Sequence, residues 1–252
     1  MFFRKKAKEG DPQCVTDLEY QRETDANAKN ILDAMKRMAE LPREVLVPGS
    51  TPAFMAIHGA AYDAVGRDLT VVGFTCVGDY QSADHGNAPD AKRAGYRFAL
   101  STDRTVAAAW FVSPSTEPQR CIVLQSYALD GETWITGCGF LSTGLPDPPR
   151  HHATRVPERT SVRALVELHR RGTSSAASLR AFSGVDEILE QRRRDAEIVQ
   201  AFRREQGLAM AEPMLRAKLG DRFALVGEPL LASILAHPEW WTFEDSPQAV
   251  SR

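Results

Sequence analysis

Hydrophobic and polar positions alternate most clearly between Leu69 and Phe140. Residues 70–80, 96–100, 106–112, 121–127 and 133–140 predict four to five consecutive β-strands. In the first run Val72, Phe74, Cys76 and Tyr80 fall on one side. In the second, Tyr96, Phe98 and Leu100 alternate with Arg97 and Ser101. A period of two is what a half-buried strand requires. The third and fourth runs, around Trp110 and Ile122, are apolar on both sides, which suits central strands. Asp130-Gly131 supplies positive φ for a hairpin, placing Tyr127 and Trp134 on paired strands. Strands that follow one another without helices predict an antiparallel sheet.

Helical spacing surrounds this region. Residues 16–41 bring Ile31, Leu32, Met35 and Met38 onto one face. A second helix starts at Ser50 or Thr51 with Pro52 in its first turn, carries a stripe of Phe54, Met55, His58, Ala61, Tyr62 and Val65, and is expected to end at Gly66. It is expected to pack across the sheet. Residues 144–157 hold four prolines and read as a surface strap or an interdomain connection. Beyond it, Val162, Leu165, Val166 and His169 share a helix face that Gly172 closes. Residues 185–206 form a long helix striped by Val185, Ile188, Leu189, Ala196, Val199 and Phe202, capped by Gly207. Arg192 interrupts a heptad seam there, which favours packing within the chain, on the other C-terminal helices. Shorter helices are expected at 213–219 and 229–236, and the aromatic run 237–243 should dock on the body.

The predicted fold is therefore α+β: an antiparallel sheet of four to five strands backed by a helix, followed by a C-terminal helical region. The expected domain plan is a disordered N-terminus over 1–14, an α+β domain over 15–150, a helical region over 151–245 and a disordered tail over 246–252.

Composition narrows function by exclusion. The net charge of −2 supplies no basic field for a nucleic-acid backbone. Four cysteines without a CxxC pair are expected to be free thiols, with Cys76, Cys121 and Cys138 buried in strands; cytoplasmic localisation is the corresponding expectation. No apolar run reaches the roughly 20 residues of a membrane-spanning helix. Phe2, Phe3, Arg4, Lys5, Lys6 and Lys8 leave weak contact with an anionic membrane open.

Individual motifs carry little chemistry. Gly137, Gly139 and Gly144 are mis-spaced for a dinucleotide turn. His151 and His152, adjacent in an extended segment, point to opposite sides and chelate one ion poorly. No cofactor and no metal site is expected. Asp84 and His85 in the 81–93 loop, with His58, form a candidate pocket in which His85 acts as base. Arg192, Arg193 and Arg194 form a candidate partner surface, with ion pairing to Glu190, Asp195 and Glu197 as the plainer reading. These observations favour a non-catalytic cytoplasmic interaction or sensing module with an unknown protein partner. A small-molecule or peptide enzyme beside the 81–93 loop and a peripheral membrane component are the alternatives.

One resemblance adds to this. Gly73-Phe74, Gly78-Asp79-Tyr80, Ser126-Tyr127, Asp130-Gly131, Gly144-Leu145, Pro148-Pro149, Arg155-Val156-Pro157 and Leu168-His169-Arg170 occur in an order similar to a group of bacterial proteins of unknown function. The resemblance spans about residues 70–171. It implies that sheet, proline strap and following helix form one unit, and it assigns no activity or site residue.

Overall fold

The computed structural model describes residues 17–39, 45–49, 52–83, 95–112, 120–138 and 145–242. The chain divides into two compact units, residues 39–206 and residues 1–38 with 207–252.

The first unit is built on a sheet of seven strands, not four or five: β1 (Leu46–Pro48), β2 (Phe74–Ser82), β3 (Gly95–Ser101), β4 (Ala107–Val112), β5 (Arg120–Tyr127), β6 (Thr133–Cys138) and β7 (His151–Val156). They lie side by side in sequence order, antiparallel except for the parallel pair β6–β7. The Asp130-Gly131 hairpin forms as expected, with Gly131 at φ +90° and Tyr127 opposite Thr133. Residues 151–156, read above as part of a strap opening a separate helical region, are instead the seventh strand. Both extra strands are hard to read from periodicity. β1 is three residues long, and β7 is mostly polar.

Two helices cover one face. Tyr62, Val65 and Leu69 of α2 (Pro52–Val71), with Val162, Leu165 and Val166 of α3 (Val162–Thr173), pack on Phe74, Ala99, Ala108, Trp110, Ile122, Leu124 and Cys138. Tyr62 meets Trp110 edge to face, ring centroids 4.5 Å apart. Ser161 caps α3 by accepting from Ala164 N.

The chain then changes face. Residues 178–183 run past the hairpin ends, where Leu179 bridges Ala128 and Arg180 N donates to Tyr127 O. Arg104, at φ +62°, clamps this segment, its side chain donating to the carbonyls of Phe182 and Ser183. The helix α4 (Val185–Gln206) follows on the opposite face. Its Val185, Ile188 and Leu189 pack on Tyr80, Tyr96, Phe98, Leu100, Ala107, Ala109 and Tyr127. Packing of α4 is thus intramolecular, and within its own unit it is made on the sheet.

Three local readings change for physical reasons. First, α2 passes through Gly66 and ends at Val71, because the left-handed residue is Gly73 at φ +87°. Gly66 serves close approach: a Cβ there would lie 2.9 Å from an Arg97 guanidinium nitrogen. Second, the register of β2 against β3 shifts between Cys76 and Gly78. This bulge puts Phe74 in one core and Tyr80 in the other, so the alternation across 72–80 is not continuous. Third, Cys76 is exposed, while Cys121 and Cys138 are buried free thiols as expected.

In the second unit, α1 (Asp17–Ala39) is accompanied by α5 (Ala211–Leu219), a π turn at Phe223–Gly227 and α6 (Glu228–Ala236). Buried Ala28, Leu32, Met35, Met210, Met214, Leu215, Phe223, Leu230 and Ile234 supply its apolar side chains. Ser233 Oγ donates to Asp25 at 2.7 Å, joining α6 to α1. Gly207, at φ +56°, ends α4 and leaves room for the Trp241 indole.

Candidate functional site

Three polar groupings are enclosed within the sheet unit. The first centres on His169 of α3, 1 % exposed. Its Nε2 lies 3.0 Å from Ser126 Oγ and its Nδ1 2.9 Å from Thr136 Oγ1. Ser126 spends its hydroxyl proton on Thr105 O at 2.9 Å. Nε2 therefore carries the imidazole proton and donates to Ser126, and Nδ1 accepts from Thr136. Burial pushes the imidazole pKa down to about 4. Both ring nitrogens are used, so this Ser–His contact ties α3 to β5 and β6 and has no free base to activate a nucleophile.

The second grouping lies under α2. Arg97 of β3 makes a fork to Asp79 of β2, Nε to Oδ1 at 2.7 Å and Nη2 to Oδ2 at 2.9 Å. Its remaining arm donates to Tyr62 O at 2.8 Å, with the guanidinium 5.0 Å from the Tyr62 ring centroid. The Asp79 hydrogen bonds raise the Arg97 pKa despite partial burial. Arg97 and Asp79 are directly cross-strand, so the pair fixes register past the bulge.

The third grouping lies between α4 and β5–β7. Arg192 stands 5.7 Å from the Phe98 ring centroid and donates to Gln125 Oε1 at 3.1 Å. One turn on, Asp195 Oδ1 sits 3.3 Å from His151 Nε2, an attractive distance without hydrogen-bond alignment. Thr133 hydrogen-bonds the same carboxylate. Burial raises the Asp195 pKa, and His151 and Arg192 pull it back. Tyr127 is also buried here, and its hydroxyl has no hydrogen-bond partner among the described residues. A His–Asp pair can serve as an oriented base only where a ring nitrogen meets substrate. The His151 side chain is 3 % exposed, so α4 seals this pair.

The candidate residues fall differently from the sequence reading. Asp84 and His85 lie outside the described residues, as do residues 1–8. The backbone of His58 lies in α2; its side chain is outside the described set. Of the three arginines, Arg193 and Arg194 are exposed and pair with Glu190 and Glu197 along the helix, whereas Arg192 turns onto the sheet. Asp195, grouped above with the solvated charges, is buried. Ala196 is exposed, so the inward seam of α4 runs through Ile188, Arg192 and Asp195. His151 and His152 do point to opposite faces: His152 stacks on Trp134, centroids 5.0 Å apart, and approaches Glu132.

Among the described residues no three potential metal ligands converge, and no helix is long and apolar enough to cross a membrane. Comparison with known proteins finds no family model, curated protein or solved structure that matches the chain.

Proposed function

We propose that the protein is a non-catalytic interaction or sensing module that works in the cytoplasm with a protein partner. The locked tautomer of His169 carries this reading. The most enzyme-like contact described, serine to histidine, is built as a brace, with every proton on it already assigned. Arg97 and Asp195 are likewise engaged by their own chain. Such a scaffold presents a fixed surface and keeps these enclosed groups committed to its own structure.

The test uses the full-length chain as bait in its native host, followed by titration of each captured protein in purified form. Saturable binding by a purified partner supports the module. Turnover of a small molecule or peptide that disappears in His85→Ala overturns it, in favour of an enzyme working beside residues 81–93. Binding only to anionic vesicles, lost on removing residues 1–8, overturns it in favour of a peripheral membrane component.

A further inference from the structure

The two edges of the seven-stranded sheet are built differently. At one edge β1 has three residues and ends in Pro48, which has no N–H to offer. At the other, β7 has six residues, no proline, and unbroken register with β6 from Thr133↔His151 to Cys138↔Val156. A parallel ladder engages every second residue of a strand. Thr133 N donates to Arg150 O, so β7 meets β6 through residues 150, 152, 154 and 156. The main-chain groups of His151, Ala153 and Arg155 therefore point outward. Pro148 O accepts the His151 N–H at 2.9 Å. Among the described residues, no backbone hydrogen bond reaches Ala153 or Arg155 from that side.

Asp147 pairs with Arg155 at 2.8 Å and acts electrostatically on Asp195 and Arg203 of α4. It thus lies on the α4 side of the sheet.

We propose that β7 pairs antiparallel with β7 of a second copy of this chain, about a two-fold axis at Ala153. The outward groups complement themselves in this arrangement. The two Ala153 residues exchange N–H···O bonds, and each Arg155 N–H meets the His151 carbonyl of the second copy. The His151 N–H, already satisfied, is not required. Ala153 is the smallest side chain of the strand and occupies the axis. Charge agrees: Arg155 faces His151 of the second copy, and each brings its own carboxylate, Asp147 and Asp195. An edge whose cations are already matched selects neither an acidic nor a basic peptide, whereas its own copy reproduces the pattern of donors and acceptors. Pro149 and Pro157 bound the strand, and the blunt β1 edge offers no continuation, so assembly closes at two.

This inference names a partner within the interaction reading above, and the two fail separately. Sedimentation equilibrium of the full-length protein over a wide concentration range should show a monomer–dimer equilibrium. Ala153→Pro removes only an outward N–H and should yield a monomer with the parent's circular dichroism. Amide exchange at Ala153 and Arg155 in the unmodified protein should slow as concentration rises, which decides the matter even where the variant does not fold. A monomer at every concentration overturns the dimer, including one whose β7 amides are protected only by a different protein. A dimer that survives Ala153→Pro also overturns it. A substrate turned over by a β7 dimer would sink only the non-catalytic reading.

Discussion

The two faces of the sheet each bury a histidine, and they treat it in opposite ways. Under α3, His169 has both nitrogens committed and is held neutral by burial. Under α4, His151 meets a carboxylate that burial would prefer protonated, at a distance without hydrogen-bond alignment. The first arrangement is finished: every donor has an acceptor. The second leaves Asp195 Oδ1 and the Tyr127 hydroxyl without a described hydrogen-bond partner. Unsatisfied buried polar groups cost roughly 1–3 kcal/mol each. The His169 grouping is therefore the more completely satisfied of the two, although its face also buries Trp110 Nε1 without a described hydrogen-bond partner.

Apolar packing should not distinguish the faces. Trp110 supports the α2–α3 side and Phe98 the α4 side, both buried. Trp110→Ala and Phe98→Ala should each cost about 3–5 kcal/mol in urea unfolding. A parent-like melt for one of them would show that its face is not a packed core.

The next effect is acid sensitivity of the α3 face. The unfolded imidazole takes a proton near pH 6.5, and the folded one only near pH 4. Stability should therefore fall as pH drops through that window, by at most about 3 kcal/mol. His169→Leu should flatten the profile. An unchanged slope in the variant would assign the titration elsewhere.

The α4 face should respond with the opposite sign. Asp195 has its folded pKa raised by burial. Its contribution is complete below the ordinary carboxylate pKa and is lost as pH rises through the folded value. Asp195→Asn should remove that loss, read as a flatter dependence of stability on pH. If this variant instead flattens a loss of stability on acidification, the His151 contact outweighs the cost of burying the carboxylate.

The smallest test uses thiols. Cys121 and Cys138 point to opposite faces and are both buried, with burial lifting the Cys121 thiol pKa to about 11. Ellman's reagent should label Cys76 quickly in native protein and these two only after unfolding, when all four cysteines of the chain react. Rapid labelling of either one would mean that its face opens locally.

The sequence made the middle of the sheet legible because β3 alternates, β4 and β5 are apolar on both sides, and β5 and β6 join through a hairpin with its own turn chemistry. The bounds of α4 were equally plain, since Gly207 ends it in the left-handed conformation. Its seam was not. A helix face containing Arg192 and Asp195 looks solvated until something opposite, here Gln125, His151 and Thr133, supplies matching groups. β7 escaped notice for a related reason. Two histidines, a threonine and an arginine near prolines look like a loop, and only the neighbouring β6 makes them a strand. The polar grouping under α4 is thus a product of long-range pairing, and one-dimensional spacing contains no sign of it.

The sequence-ordered sheet also bears on how the unit forms. From β2 to β6 each strand pairs with the next one along the chain. Every such step closes a short loop, and the entropic cost of closure grows only with the logarithm of loop length. The strands β2–β6 are thus expected to form the folding nucleus, and α4, which reaches the sheet from far along the chain, to dock afterwards. In kinetic terms, Trp110→Ala should mainly slow refolding. Ile188→Ala, which loosens α4, should leave refolding nearly unchanged and accelerate unfolding.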